Sequence, residues 1–219
     1  MSTTASGDDD LFVIAIDGPA GAGKSTVARA LADRLDLEYL DTGAMYRAIT
    51  FATLAKGVSV HDVDAVGALV PLVEMTVAPE AVTVDGVDVT AAIRSRDVTE
   101  HVSAIAANSA VRADLVARQR QWGIARGGGV IEGRDIGSVV FPDARLKIYV
   151  TATPRVRAER RVGEIGGDVD EVEAAIGERD RRDSSRTDSP LREADGSHMI
   201  DTSGRAVADI VDEIVELLR

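Results

Sequence analysis

The 219-residue sequence contains no cysteine, only three histidines and no long apolar run. The lack of cysteine excludes disulfides, thiolate zinc sites and cysteine nucleophiles. The histidines, His61, His101 and His198, are far apart in the sequence, which argues against a histidine-rich metal site or a Ser/His/Asp triad. No segment approaches the ~20 consecutive apolar residues that a membrane-spanning helix needs. Any chemistry therefore rests on carboxylates, hydroxyls and cationic side chains.

Basic residues are too few to balance the acidic ones: 25 Lys and Arg stand against 37 Asp and Glu, a formal net charge of −12. Nucleic acids and anionic membranes both need a basic footprint, so we expect neither as a partner. Residues 1–10 lack the basic start and apolar stretch of a secretory signal, and we expect them to form a short disordered tail. The composition predicts a cytoplasmic protein, and the lack of a clear exposed apolar stripe predicts a monomer.

Short apolar runs alternate with helical patterns along the chain, which predicts an α/β fold with a doubly wound parallel sheet and helices on both faces. Ser109 is the predicted N-cap of its helix. The predicted strands are residues 11–16, 39–40, 130–131, 146–150 and 199–200. The predicted helices are residues 27–35, 43–54, 97–107, 109–126, one that begins at Pro154, one that ends near Asp183 and one over 207–218.

Residues 73–90 do not follow this plan. Alternating Val and Thr, a break at Pro79 and a turn signal at Asp85 and Gly86 predict small antiparallel strands. We therefore expect an insertion in an otherwise doubly wound domain. The predicted single domain, residues 11–219, consists of a core (11–41, 128–156 and 187–219), this insertion (42–127) and a lid region (157–186).

Residues 18–25 read GPAGAGKS and match the phosphate-binding pattern G-x-x-x-x-G-K-[ST]. Glycines let successive backbone N–H groups turn toward phosphates, Lys24 reaches the β and γ oxygens, and Ser25 binds Mg²⁺. The alternative is a plain Gly-rich turn, but the segment lies between a predicted buried strand and a helix, as this pattern requires. The predicted nucleoside triphosphate site comprises Gly18, Pro19, Ala20, Gly21, Ala22, Gly23, Lys24, Ser25 and Thr26.

Arg157, Arg160 and Arg161 have the i, i+3, i+4 spacing that places side chains on one face of a helix. One interpretation is a solvated charged helix. The other is a lid that closes on phosphates, with Gly166 and Gly167 as its hinge. The spacing alone leaves both open.

A second group, Arg179, Asp183 and Arg186, has i, i+4, i+7 spacing and again predicts one helical face. Ion pairs with neighbouring charges are the alternative to ligand binding. A third group follows the strand at 130–131, where carboxyl ends of parallel strands face the ligand crevice, with a local salt bridge as its alternative. The members of the third group are Glu132, Arg134 and Asp135.

Phosphoryl transfer requires positioning and positive charge on the moving group. Arginine supplies two parallel hydrogen bonds to phosphate oxygens. A phosphate loop followed by several arginine groups therefore predicts a kinase whose acceptor is itself a phosphate. Such an acceptor needs no general base, because the oxygen of a phosphate monoester is already an anion at neutral pH.

Four segments, IDGPAGAGKST, LDTGAMYRA, IEGRDIGSVVFPDA and ERDRRDSSR followed by DTS, resemble the bacterial cytidylate kinases, a family of nucleoside monophosphate kinases. The resemblance runs from Phe12 nearly to the C-terminus. It implies a P-loop kinase fold and transfer of the γ-phosphoryl group of ATP to CMP or dCMP in pyrimidine nucleotide metabolism, with Mg²⁺. By this resemblance, residues 42–127 would form the monophosphate-binding subdomain and residues 157–186 the lid.

The resemblance also implies roles for individual residues. Residues 18–26 would hold the ATP phosphates, while Ser25 would bind magnesium directly and Glu132 through a water molecule. The implied CMP site comprises Thr42, Arg47, Ser103, Arg112, Arg134, Asp135, Arg179, Asp183 and Arg186, with Arg47 and Arg134 on the phosphate and Ser103, Arg112 and Asp135 on the base. The implied catalytic groups are Lys24, Arg134, Arg157, Arg160, Arg161 and Arg186.

The chemistry of cytosine agrees with this base pocket. The carboxylate of Asp135 can accept from the amino group at C4, while Arg112 can donate to the ring nitrogen and carbonyl. Uracil presents a carbonyl in place of the amino group, so two acceptors would face each other. The pocket therefore predicts a preference for CMP and dCMP over UMP.

Two other functions remain alternatives. One is a kinase for a different monophosphate or for a shikimate-like hydroxyl acceptor, for which Asp135 would be the base. The other is a nucleotide-dependent switch. The lack of an N-K-x-D motif weighs against a guanine-binding switch, as does the number of arginines suited to phosphate.

Overall fold

The computed structural model describes residues 11–186 and 188–219. The predicted tail, residues 1–10, and Thr187 in the predicted core lie outside the described residues. Five parallel strands form the central sheet in the order β2-β6-β1-β7-β8. These strands are β1 (Phe12–Asp17), β2 (Tyr39–Asp41), β6 (Gly128–Gly133), β7 (Leu146–Thr151) and β8 (His198–Asp201).

Eight helices connect or cover the described strands: α1 (Lys24–Leu35), α2 (Thr42–Ala55), α3 (Val63–Leu69), α4 (Arg96–Ala107), α5 (Ser109–Arg126), α6 (Pro154–Ile165), α7 (Val169–Ser184) and α8 (Val207–Glu216). Short 3₁₀ turns lie at Val70–Leu72 and Ala92–Arg94, and one π-helical turn spans Ile136–Val140.

The apolar sequence of β1 explains the two layers of helices. Successive side chains of a strand point to opposite faces of a sheet. Val13 and Ala15 pack into a core with α2 and α5, whereas Ile14 and Ile16 pack into a core with α1 and α8. All four side chains are at most 1% exposed, as expected for a strand buried on both faces. The predicted doubly wound α/β architecture is confirmed.

The predicted antiparallel strands over 73–90 are also confirmed. They form a separate sheet of β3 (Met75–Val77), β4 (Val82–Val84) and β5 (Val87–Asp88). Asp85 and Gly86 join β4 to β5 with φ values of 49° and 79°. Two positive φ values in a two-residue loop are typical of the hairpin turn that matches the twist of the strands.

Some helix boundaries differ from the prediction. The N-cap of α5 is Asn108 rather than Ser109, because the Asn108 side chain accepts from the backbone N–H groups of Ala110 and Val111. The sequence analysis missed α3, although Asp62 caps it in the same way. The predicted strand at 130–131 begins earlier, at Gly128.

The end of α7 changes the interpretation of the group Arg179, Asp183 and Arg186. Helix α7 ends at Ser184, so Arg186 lies beyond the helix and the predicted common helical face of all three is wrong. The chain still turns back far enough for Arg186 to pair with Asp183.

Gly128 is required where β6 pairs with β1. A Cβ atom there would lie 2.2 Å from the Phe12 carbonyl oxygen, and its φ of +122° disfavours other residues. We expect Gly128→Ala to lower the free energy of unfolding by about 3 kcal/mol or more. The matched control is Gly127→Ala, with φ of +70° and nothing within 4 Å, for which about 1 kcal/mol is expected. Urea denaturation measures both, and equal losses would contradict this packing.

Candidate active site

The phosphate loop leaves β1 at the carboxyl edge of the sheet. Gly18 has a φ of +147°, and a Cβ atom there would lie 2.0 Å from the Val150 carbonyl oxygen in β7. Gly23, with φ of 88°, precedes α1 and leaves the backbone N–H groups at the helix start free for an anion. The loop is therefore shaped by close backbone approach that only glycine permits.

Lys24 is buried at the first turn of α1, and its Nζ donates to the Pro19 carbonyl oxygen at 2.8 Å. Burial and the nearby Arg134 guanidinium lower the pKa of Lys24 to about 7. A phosphate oxygen near Nζ would favour the charged form and reverse this effect. Lys24 is thus held beside its own loop, in a place where an anion would stabilise it.

Glu132 lies at the end of β6, in register with Ile16 of β1, and only 4% of its surface is exposed. Burial and Asp41 raise the pKa of Glu132, while Lys24 and a hydrogen bond from the Ser25 hydroxyl oppose that rise. The Tyr39 hydroxyl also donates to the Glu132 carboxylate. Hydroxyl and carboxylate oxygens are the ligands that Mg²⁺ prefers, so the pair of Ser25 and Glu132 fits this ion chemically.

Two residues of the predicted CMP site, Arg112 of α5 and Asp135, form a buried ion pair, and each of them is 5% exposed. Arg112 also donates to the Tyr46 hydroxyl at 3.3 Å. Arg47 of α2 donates to the Thr99 hydroxyl at 2.9 Å. Elements distant in sequence thus bring cations and a carboxylate to one edge of the sheet. Two further predicted residues are Ser103, half-buried on α4, and Thr42, whose hydroxyl donates to the Glu132 carbonyl oxygen at 2.6 Å.

Asp183 organises the arginines that follow β6 and α7. It is 1% exposed, accepts from Arg134 Nε at 3.1 Å and pairs with Arg186. Burial raises the pKa of Asp183, but Arg134, Arg186 and Arg179 outweigh burial and lower it overall. Two guanidinium groups therefore pair with one carboxylate, and that of Arg179 lies close enough to lower its pKa further.

Arg179 completes this cluster and has an unused donor. Among the described residues, no hydrogen-bond partner reaches its buried Nε atom. Burial and Arg134 lower the pKa of Arg179 to about 9. The excess of positive charge over the single carboxylate favours an anionic ligand at this position.

The three arginines of α6 have different partners. Arg157 donates to the Ala20 carbonyl oxygen of the phosphate loop at 3.1 Å and pairs with Asp180 of α7 at 2.5 Å. Arg160 donates to the Thr202 hydroxyl and carbonyl at 2.9 and 2.8 Å. Arg161 pairs with Glu164 at 2.8 Å. The first two thus lie against or near the phosphate loop, since Thr202 in turn donates to the Ala22 carbonyl oxygen at 2.9 Å.

The sequence analysis missed several polar residues at the site. Tyr39, Tyr46 and Asp180 gave no local signal, because their partners are distant in sequence. Asp17 had a signal: it ends β1 immediately before Gly18, at the sheet edge that faces the ligand crevice. Burial raises the pKa of Asp17 to about 6.

The role of Asp183 as shared counter-ion can be tested on stability. We expect Asp183→Asn to lower the free energy of unfolding by about 3 kcal/mol, because Arg134 and Arg186 lose their buried carboxylate partner. The matched control is Glu178→Gln on the same helix, whose pairs with Arg181 and Arg182 are exposed and contribute less than about 1 kcal/mol. Chemical denaturation at pH 7 measures both, and a loss as small as the control's would contradict the shared buried pair.

Comparison with known proteins places the chain in a family. The family model described as cytidylate kinase matches residues 14–219. A bifunctional pantoate ligase/cytidylate kinase of Prochlorococcus marinus (strain MIT 9303) is 46% identical over 218 residues, covering 94% of this chain and 44% of the relative. The same-named protein of Synechococcus sp. (strain JA-3-3Ab) is 48% identical over 219 residues, covering 94% and 40%. The chain thus spans less than half the length of these relatives.

Two solved structures show the same fold. A gluconokinase from Sinorhizobium meliloti 1021 has a TM-score of 0.52 and 14% identity, covering 95% of this chain and 92% of that one. A sugar kinase from Janibacter sp. HTCC2649 has a TM-score of 0.51 and 13% identity, covering 95% and 94%. In the part of the chain that the structure describes, no helix is both long and apolar enough to cross a membrane. The family match over residues 14–219 is decisive, and this chain belongs to the cytidylate kinase family.

Proposed function

We propose that this chain transfers the γ-phosphoryl group of ATP to CMP or dCMP, giving ADP and CDP or dCDP. The observation that carries the proposal is the buried cationic cluster beside the phosphate loop, in which Arg134 and Arg186 pair with Asp183 and Arg179 lies nearby. Phosphoryl transfer between two nucleotides brings several negative charges to one place, and catalysis consists mainly of stabilising them in position. Membership of the cytidylate kinase family supports the same acceptor.

On the donor side, the backbone N–H groups of residues 18–26 hold the ATP phosphates. Lys24 exchanges the Pro19 carbonyl oxygen for a phosphate oxygen, and a hydrogen bond between two opposite charges is stronger than one to an uncharged carbonyl. Ser25, and Glu132 through a water molecule, would hold Mg²⁺, which would supply positive charge to the β and γ phosphates.

On the acceptor side, the CMP phosphate lies among Arg47, Arg134 and Arg186, and Thr42 provides a hydroxyl contact. Arg179 and Asp183 contact the sugar or groups on the base side of it. The base inserts at the Arg112–Asp135 pair, with Asp135 accepting from its amino group, Arg112 donating to its ring nitrogen and carbonyl, and Ser103 adding a hydroxyl. The acceptor phosphate is already an anion, so its oxygen attacks without a general base.

Closure of two mobile regions completes the site in this proposal. Residues 42–127 form the acceptor-binding insertion, and residues 157–186 form a lid whose Arg157, Arg160 and Arg161 act on the ATP phosphates. Excluding water matters because ATP hydrolysis competes with transfer. The net charge of −12 supports a cytoplasmic monomer that acts on small nucleotides rather than on nucleic acid.

A coupled ADP-release assay tests this function directly. The enzyme is supplied with ATP, Mg²⁺ and one acceptor at a time from CMP, dCMP, UMP, AMP, GMP and shikimate. We expect strong turnover with CMP and dCMP, because only cytosine satisfies both Arg112 and Asp135. A preference for shikimate or another monophosphate would replace the proposed acceptor, and silence across the panel would indicate a nucleotide-dependent switch.

The base pocket makes its own prediction. We expect Asp135→Asn to reduce the CMP/UMP ratio of kcat/KM by about tenfold or more, because the amide can donate to the uracil carbonyl. Asp143→Asn is the matched control, since it makes the same exchange at an exposed aspartate that the proposed base pocket does not include. Steady-state kinetics with both acceptors measures the ratio. A ratio equal to that of the control variant would remove Asp135 from base recognition.

A further inference from the structure

Asp17 has contacts that the proposed reaction does not use. Its two carboxylate oxygens accept from the backbone N–H groups of Ile136 and Gly137, each at 2.8 Å. These donors lie 119 and 120 residues away in sequence. Only 3% of the Asp17 surface is exposed. One buried side chain thus satisfies two adjacent donors that the turn after β6 would otherwise leave unpaired.

The backbone of Asp17 also pairs with the residue at which this turn begins. In the parallel pairing of β1 with β6, Asp17 is in register with Gly133. The residues between Gly133 and Ile136 are Arg134 and Asp135. Asp17 therefore holds both ends of a two-residue segment whose side chains extend into the acceptor site.

A carboxylate is a costly way to cap this turn. Asp135, a second carboxylate, is close enough to Asp17 to repel it, and burial also disfavours the charge of Asp17. Stability alone favours a neutral acceptor at such a position. The retained charge strengthens both hydrogen bonds, which makes the turn more rigid than a neutral cap would.

The position of Asp17 in the chain links this turn to the donor site. The next residue, Gly18, begins the phosphate loop and is packed against Val150 of β7. The donor loop and the segment carrying Arg134 and Asp135 are thus attached to the same residue. In-line transfer depends on the distance between the two nucleotides, and a shift of about 1 Å can cost about 100-fold in rate.

We propose that Asp17 is a positioning residue, which fixes Arg134 and Asp135, and hence the acceptor nucleotide, relative to the phosphate loop. This inference rests on the proposed function, because it assigns the acceptor to Arg134 and Asp135. Asp17 itself contacts neither nucleotide. Its loss affects the acceptor and the transfer step and leaves ATP binding intact.

The test uses Asp17→Asn, which keeps the size and one acceptor oxygen, and Asp17→Glu, which keeps the charge but displaces both oxygens by one methylene group. For each variant we expect kcat/KM for CMP to fall about tenfold or more, a lower CMP/UMP ratio and a KM for ATP close to that of the wild type. Asp33→Asn is the matched control, because it removes an exposed carboxylate on α1. Its kinetics are expected to equal those of the wild type.

Amide hydrogen exchange at Ile136 and Gly137 gives a readout that does not depend on any activity. Both amides are expected to be protected in the wild type and to exchange faster in Asp17→Asn. Two outcomes would overturn the proposal. One is that the Asp17 variants are less stable but keep the CMP/UMP ratio of kcat/KM unchanged. The other is that Asp17→Asn raises only the KM for ATP and Asp17→Glu restores it. Failure of the wild type to phosphorylate CMP would reject the proposed function, while the exchange result would still decide whether Asp17 holds the turn.

Discussion

Positive charge buried at the carboxyl edge of the sheet is the constraint on which the rest of this site depends. Lys24, Arg134 and Arg179 come from different elements, and burial together with repulsion from Arg134 lowers the pKa values of Lys24 and Arg179. Such a group of cations is stable only with counter-ions. Buried carboxylates such as Asp183 provide part of that compensation, but no partner from the part of the chain that the structure describes reaches the Arg179 Nε atom.

This arrangement explains how a protein of net charge −12 can bind the two anionic nucleotides of the proposed reaction. Surface charges more than about 8 Å away are largely screened at physiological ionic strength, whereas the cluster acts at contact distance and in a dry environment. The guanidinium groups that would donate to a ligand are already held in place by Asp183, by Asp180 and by loop carbonyls such as that of Ala20. Binding therefore requires an exchange of partners rather than the assembly of a site, which is the basis of electrostatic preorganisation.

The parts predictable from sequence are those with local causes. Apolar runs, the glycine pattern of the phosphate loop and the turn at Asp85 and Gly86 are encoded within a few neighbouring residues, and the structure has them all. Contacts that depend on the folded chain could not be predicted in this way. Helical spacing predicted that Arg157 lies on one face of its helix with Arg160 and Arg161. Its ion-pair partner Asp180, 23 residues away, could not be predicted because the contact depends on how α6 packs on α7. The same limit applies to the hydrogen bonds of Asp17.

The ion pair between Arg112 and Asp135 bears on how the proposed base pocket distinguishes cytosine from uracil. Opening a buried ion pair leaves two desolvated charges, each of which costs free energy until it finds a new partner. In the proposed base pocket, cytosine supplies a donor for Asp135 and acceptors for Arg112, so both charges recover their hydrogen bonds. Uracil leaves the Asp135 carboxylate facing an oxygen, and its ring N–H is a donor that faces the Arg112 guanidinium, so Arg112 keeps only the bond to the carbonyl. Binding at this site breaks the ion pair, so a base that cannot replace its hydrogen bonds leaves a buried charged group of the protein without a partner. The free-energy cost of that unpaired group makes the discrimination stronger than in a pocket that has no ion pair to break.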